Sequence, residues 1–443
     1  MTETCVYEER MTAIHLLRSG QSPTEVIKEL SRSLSWVYKW RQRFFVQQSW
    51  EDLKARSRAP KRKPRKLPDE VRQAIRQARS ELEEEATQPG HLGYIGAHAI
   101  RARLKKKGCR ELPSLSSIER TISAAGMTRP PKPEVPAVFY PHLQPIQPHQ
   151  LVQVDIVPHY LPGGACISCF NAIDVYSRYP TGQQLPTKRS LDAFNFMLQM
   201  WKELGLPDYT QVDNESCFSG GFTHPGVLGK VLRLALYVGT ELVFSPVRHP
   251  ESNGYVERFH QDYNGNVWDK LELADLQAVQ HHSSPFFELY RHSEHHSALN
   301  GHSPEEVHGS QPLRPLPETL VLPAKLPVTA GRVHFIRLVN PDKKIVILNL
   351  DWDVPAARPA QGVWATLEFA SQGAKLRIYD TAPDALKRKC LAEHPFPLKE
   401  PVVPLRVEFQ KPIPVPVSWF SLAADLFRLA LKTRLPAWIS TML

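Results

Sequence analysis

The sequence predicts a multidomain chain, with all-α helix-turn-helix domains at the N-terminus, an α/β core in the middle and a small C-terminal β-barrel. Three observations predict it. The first is where the prolines fall. Segments 60–68, 130–148, 312–327 and 395–416 hold 22 of the 40 prolines. Proline lacks a backbone donor and disfavours helix in the residue before it, so such runs read as extended linkers. They bound units at 1–59, 69–129, 149–311 and 328–394, with a Pro-rich segment and tail at 395–443. The second is charge. Residues 1–133 carry a net +12, residues 134–311 a net −9 and residues 312–443 a net +7. Basic wings suit a polyanion, and an acidic middle suits cations. The third is apolar periodicity, which changes from helical spacing to strand runs along the chain.

A length of 443 residues with 42% hydrophobic residues supports several cores and excludes wholesale disorder. Six cysteines make no disulfide scaffold, and no charged-then-apolar leader precedes a small-residue cleavage site. A reducing cytoplasm is therefore expected. The most apolar stretch, Trp419–Trp438, is broken by Asp425, Arg428, Lys432, Arg434 and Pro436, so no membrane span is expected.

In the first unit, residues 8–18 put Met11, Ile14, Leu16 and Leu17 near one helical face, and Gly20 stops the helix. Ser22-Pro23-Thr24-Glu25 reads as N-cap, Pro at N1 and a capping-box Glu. A helix with Val26, Ile27 and Leu30 follows. After a short turn, SWVYKWRQRFF forms a third helix, with Val37, Trp40 and Phe44 inward and Lys39, Arg41 and Arg43 outward. Three short helices ending in a basic one follow the helix-turn-helix plan, whose last helix enters the major groove. Residues 54–66 add Lys54, Arg56, Arg58, Lys61, Arg62, Lys63, Arg65 and Lys66 without an acid, a run suited to tracking phosphates. Residues 69–129 show three more amphipathic helices, so a second helix-turn-helix unit is expected, reading a longer site on double-stranded DNA.

The middle unit reads as three strands, helix, strand, helix, strand, helix. LVQVDIV is a strand with one acid, Asp155. An unpaired carboxylate inside a strand is costly unless a cation or hydrogen bonds hold it. YTQVDNES is a strand ending at Asp213, and HPESNGYVERFHQ leads into a helix bearing Glu257. That order can converge three carboxylates at one sheet edge. Glu215 is a rival for Asp213's place. Asp174 in DVYSRY reads as a cap or a partner of Arg178. Cys166 and Cys169 form C-x-x-C, but no second half follows, and three residues apart on a strand they face opposite ways. Buried structural cysteines are expected there. No phosphate loop or dinucleotide fingerprint is present, so no nucleotide cofactor is implied.

The blocks VQVDIV, NAIDVYSRYP, VDNES, FSPVRHPESNGYVERFHQ and HSALNGHSPEEV resemble the catalytic core of DDE transposases and retroviral integrases, above all bacterial insertion-sequence transposases. The resemblance covers residues 149–311. It implies a ribonuclease-H-like core and a nucleoid-associated DNA transposase that frees 3′-OH ends and joins them to target DNA. It implies Asp155, Asp213 and Glu257 as ligands of two Mg²⁺ or Mn²⁺ ions, Arg258 as a DNA contact, and a homo-multimer on DNA. Forty-three residues separate Asp213 from Glu257, several more than in the common pattern. Position 264, where many relatives place Lys or Arg two turns after the Glu, is Asn. Two alternatives share these residues: a catalytically silent DNA-binding regulator, and a nuclease without strand transfer.

After the core, residues 329–380 read as four or five short strands, the source of the barrel expectation. Arg332, Arg337, Lys343, Lys344, Lys375 and Arg377 are candidate surface contacts. The tail, SWFSLAADLFRLALKTRL, reads as an amphipathic helix.

Overall fold

The computed structural model describes residues 3–55, 67–109, 111–128, 139–220, 225–247, 249–294, 296–317 and 319–411. The basic residues from Arg56 to Lys66 and the amphipathic tail lie outside the described residues. The chain forms two compact units, 1–68 and 69–443.

The first unit holds α1 (Glu3–Arg18), α2 (Pro23–Leu30) and α3 (Leu34–Gln47), then a 3₁₀ turn at Trp50–Leu53. The capping box forms as its residues predict: Glu25 Oε2 accepts from the Ser22 backbone at 2.7 Å, and Pro23 opens α2. Ser33 caps α3 by accepting from the Trp36 N–H at 3.3 Å. Ile14, Val26, Val37, Trp40, Phe44 and Leu53 form the core. Lys39 and Arg41 stay exposed on α3. The 3₁₀ turn folds back because Arg10 Nη1 donates to the Leu53 carbonyl at 2.7 Å and Trp50 stacks on His15. Ile14 has no exposed surface, so Ile14→Ala should cost this unit about 2–5 kcal/mol. Scanning calorimetry should show the transition of residues 1–68 moved down. An unchanged thermogram would contradict this packing.

The second unit opens with α4 (Asp69–Glu85), α5 (Ala97–Lys106) and α6 (Leu115–Ala124), which pack on one another through Ile75, Leu82, Ile100, Leu104 and Ile118. The central segment follows as β1 (Leu151–Tyr160), β2 (Cys166–Asp174), β3 (Pro180–Leu185), α7 (Ser190–Leu204), β4 (Tyr209–Val212), α8 (Ser216–Ser219), α9 (Lys230–Val238), β5 (Glu241–Phe244), α10 (Gly254–Tyr263), α11 (Leu276–Arg291) and α12 (Pro304–His308). The C-terminal segment adds β6 (Val328–Thr329), β7 (Gly331–Leu338), β8 (Lys344–Ile347), β9 (Leu350–Asp353), β10 (Gly362–Ala370), β11 (Gly373–Tyr379), β12 (Cys390–Phe396) and β13 (Val402–Val403).

The expected separate β-barrel is not what these strands build. Four of them, β7, β10, β11 and β12, continue the central sheet, whose order is β12-β11-β10-β7-β5-β4-β1-β2-β3. β7 pairs parallel to β5, with Leu242 opposite Val333 and Phe244 opposite Phe335. The reason is apolar: Val333, Phe335, Val363, Leu367 and Leu376 share one core with Leu232, Leu236, Phe244 and the α7 residues Phe196 and Met200. The rings of Phe244 and Phe335 stack 4.9 Å apart. β8 and β9 form a separate hairpin, and β6 pairs with β13.

Strand alternation sorts the faces. Val152, Val154 and Ile156 of β1 meet α7 and α9. The odd residues Gln153 and Asp155 therefore face the other layer, built from α10 and α11 around Phe259, Tyr263, Phe286 and Phe287. Cys169 is buried in that layer, but Cys166 is exposed at the strand's start, so only one of the pair is a core cysteine. Among the described residues, no helix is long and apolar enough to cross a membrane.

Candidate functional site

Asp155 lies in the middle of β1, Asp213 directly follows β4, and Glu257 stands in the first turn of α10. All three line one cavity of about 660 Å³, with Asn214, Glu215, Asn253, Phe335 and Arg337 among its walls. β1 and β4 pair in parallel, so both strands deliver their carboxylates to the same end of the sheet. α10 supplies the third.

The site is electrostatically loaded. Burial, followed by the charges of Glu215 and Asp155, pushes Asp213 up to about 7. Burial and Glu215 also raise Asp155. Carboxylates crowded out of water favour the proton over the bare charge. A hard cation relieves the same crowding through oxygen ligands, so the donor set fits Mg²⁺ or Mn²⁺. His260 Nδ1 lies 3.5 Å from Asp155. Burial, then the nearby His159, lowers His260 to about 4, so this contact is made by a neutral imidazole near pH 7.

The rivals find other work. Glu215 forms an ion pair with Lys188 at 2.6 Å, and its backbone N–H donates to Asp213 Oδ1 at 3.0 Å. Asp174 caps its own turn: it accepts from the backbones of Tyr176 and Ser177, and from His149 at 2.8 Å. Arg258 lies on the exposed side of α10, and its guanidinium reaches Asp262 at 3.1 Å. Lys54 pairs with Glu51 at 2.6 Å. Arg43 stacks over Trp40, 4.9 Å from the ring centroid. Asn264 is half-buried in the π-helical turn that follows α10.

Arg337 belongs to the site and not to the surface where the sequence placed it. It is 9% exposed. Its guanidinium donates to the Asn214 side chain at 2.8 Å and to the carbonyls of Ser245 and Val346 at 3.1 and 3.0 Å. It thereby ties β7 to the residue after Asp213. Of the other candidates in this segment, Arg332 pairs with Glu241, and Lys375 and Arg377 with Glu393.

Residues 238–304 match the family model of the integrase core domain, and residues 7–47 match that of the homeodomain-like domain. The resemblance is to the DDE transposase and integrase superfamily. The integrase-core match contains Glu257 and α10, and the homeodomain-like match spans α2, α3 and residues 7–18 of α1. Solved structures similar to this chain include the HTLV-2 integrase catalytic core domain in complex with magnesium, at 16% identity over 37% of this chain and 99% of that one, TM-score 0.29. A simian T-cell lymphotropic virus intasome in complex with the PP2A regulatory subunit B56 gamma matches at 15% identity over 73% of this chain and 99% of that one, TM-score 0.32. The BIV integrase catalytic core matches at 21% identity over 36% and 93%, TM-score 0.27.

Two buried histidines should each lower the stability of the second unit in acid. Burial holds His308 well below its usual 6.5, and burial likewise lowers His334, whose Nε2 donates to Glu241 at 2.6 Å. Both are neutral in the fold and would protonate in the unfolded chain below about pH 6.5. The unfolded state then binds more protons, so stability is present above that pH and is lost as pH falls toward the folded values. Glu241 adds nothing in this window. Burial would raise it, but His334 and Arg332 outweigh burial and bring it down to about 2. Asp213 titrates with the opposite slope over this range, so in the Asp213→Asn background the urea midpoint should drop between pH 7 and 5, and His308→Gln should flatten that slope. A midpoint constant over that range in the Asp213→Asn background would refute the assignment.

Proposed function

We propose that this protein is a DNA transposase, with Asp155, Asp213 and Glu257 as the ligands of two divalent metal ions. The observation that carries the reading is that carboxylates on β1, just after β4 and on α10 share one cavity while burial and the charge of Glu215 raise two of them. Mg²⁺ or Mn²⁺ held there would supply Lewis-acid stabilisation to the attacking and leaving oxygens of a phosphodiester.

The chain's own residues do the positioning. β1 and β4 hold two carboxylates on a rigid sheet, and α10 brings the third from another direction. Lys188 balances Glu215 beside them. In the first step water attacks phosphorus, the P–O3′ bond breaks, and the element strand is left with a 3′-OH. In the second, that 3′ oxygen attacks a target phosphorus and displaces a target 3′ oxygen. One P–O bond forms and one breaks each time, so no external energy source is required. The exposed Lys39 and Arg41 of α3, the guanidinium of Arg258 and the basic run 54–66 would hold element-end DNA, and joining two ends calls for more than one copy.

The test supplies full-length protein, Mg²⁺, a labelled duplex of the element end and a target plasmid. Terminal inverted repeats bracketing the gene would define that duplex. Joined product is the expected outcome. Cutting without joining would assign a nuclease, and binding with neither would assign a regulator.

A further inference from the structure

The helix that carries Glu257 is capped by a side chain from a different element. α10 starts at Gly254, and its own N-cap, Asn253, makes no side-chain capping bond. The first N–H groups of a helix lack intrahelical partners and must find them elsewhere. Gln153 of β1 provides them. Its Oε1 accepts from the backbone N–H of Tyr255 at 3.2 Å and of Val256 at 3.4 Å. Its Nε2 donates to the Ser252 carbonyl at 3.2 Å.

Gln211 of β4 does the complementary work. It is the register partner of Gln153. Its Nε2 donates to the same Ser252 carbonyl at 3.0 Å and to Asn253 Oδ1 at 2.7 Å. Ser245 Oγ donates to Asn253 Oδ1 at 2.9 Å. Gln153, Gln211 and Asn253 are 3%, 5% and 6% exposed, so water does not compete for these bonds. Residues two apart on a strand share a face. Gln153 therefore lies on the face of Asp155, and Gln211 on that of Asp213. The strands that carry the two aspartates also grip the turn that launches Glu257.

We propose that Gln153 and Gln211 are positioning residues of the metal site, with Gln153 acting as a helix N-cap in trans. The proposal rests on reading the three carboxylates as metal ligands. The apolar contacts of Val256 and Phe259 hold α10 against the sheet, but apolar contact is non-directional. The glutamine bonds are directional, and they fix the end of the helix where Glu257 stands.

Mn²⁺ binding to the full-length protein, read from the electron paramagnetic resonance of the free ion, tests this beside Mg²⁺-dependent strand cleavage. Gln153→Met matches the side chain in length and removes both kinds of bond. It should weaken Mn²⁺ binding about 10–100-fold, the usual effect of removing a partner that orients a ligand, with unchanged far-ultraviolet circular dichroism. Gln153→Glu keeps the acceptor toward Tyr255 and Val256 and should recover most of the loss. Gln211→Met should weaken binding to a similar degree. If Gln153→Met does not fold, Gln153→Asn, polar but one methylene too short, replaces it with the same expectation. Wild-type Mn²⁺ affinity in the Gln153 or Gln211 variant overturns the proposal for that residue, and a Gln153→Glu no better than Gln153→Met overturns the capping role. Asp155→Asn and Glu257→Gln run alongside. If these two bind Mn²⁺ as the wild type does, the metal-site reading itself fails.

Discussion

Asp213→Asn should make the metal-free protein more stable and, in the same preparation, abolish Mg²⁺-dependent cleavage and joining. Asp213 is pushed up to about 7 by burial and by the charges of Glu215 and Asp155. An acid whose folded pKa exceeds its unfolded value favours the fold when protonated and opposes it when charged. Stability therefore falls as pH rises through the window from the unfolded value of 3.8 to about 7. At pH 8 the penalty is complete, on the order of 1–4 kcal/mol at 1.36 kcal/mol per pKa unit. Asparagine keeps the shape without the charge, so the melting temperature should rise by a few degrees, and the gain should shrink toward zero near pH 4. Saturating Mg²⁺ should reverse the order, because binding stabilises only the protein that retains its ligands. Loss of the Lewis-acid contribution, worth several kcal/mol, corresponds to a rate lowered on the order of 10³-fold or more. Binding to the element end should stay unchanged. Cleavage at the wild-type rate would sink the proposed site.

A chain ending at residue 311 should fail to melt cooperatively, although its boundary falls in a proline-rich segment that reads as a linker. Removing β7 leaves β5 as a bare edge and strips Val333, Phe335, Leu367 and Leu376 from the shared core. Each large apolar side chain contributes about 1.5–3 kcal/mol when buried. Together they rival the net stability of a domain, about 5–15 kcal/mol. The cavity would also lose Phe335, Arg337, Val346 and Leu348 from its wall. Circular dichroism melts of fragments 69–311 and 69–411 make the comparison. A sharp transition in the shorter fragment would show that the extension is dispensable.

What was legible follows from range. The capping box at Ser22, the three helices of the first unit and the strand at 151–157 are local patterns, and each forms where its residues predict. That Asp155, Asp213 and Glu257 could line one cavity was legible from the block spacing and the strand–helix order. The pairing of β7 with β5 was not, because nothing near Val333 encodes a partner about 90 residues earlier. α11 escaped notice because Pro285 and two serines interrupt its apolar spacing, and the packing of Phe286, Phe287 and Tyr290 overrides them. Gln153 and Gln211 carry no charge and sit in strands, so their role shows only when α10 is seen to lack its own cap. Arg337 looked like a surface cation because a buried arginine is rare. Its fixed hydrogen-bond partners explain why burial is tolerated.

The continuous sheet also has a consequence in time. β5 is synthesised about 90 residues before β7. At roughly 5–20 residues per second, its apolar edge waits on the order of 5 to 20 seconds for a partner. Once Glu257 has been added, the nascent chain contains all three carboxylates but lacks the wall that Phe335 and Arg337 complete. A ribosome still translating this message therefore carries an unfinished cavity, and chains released early lack that wall.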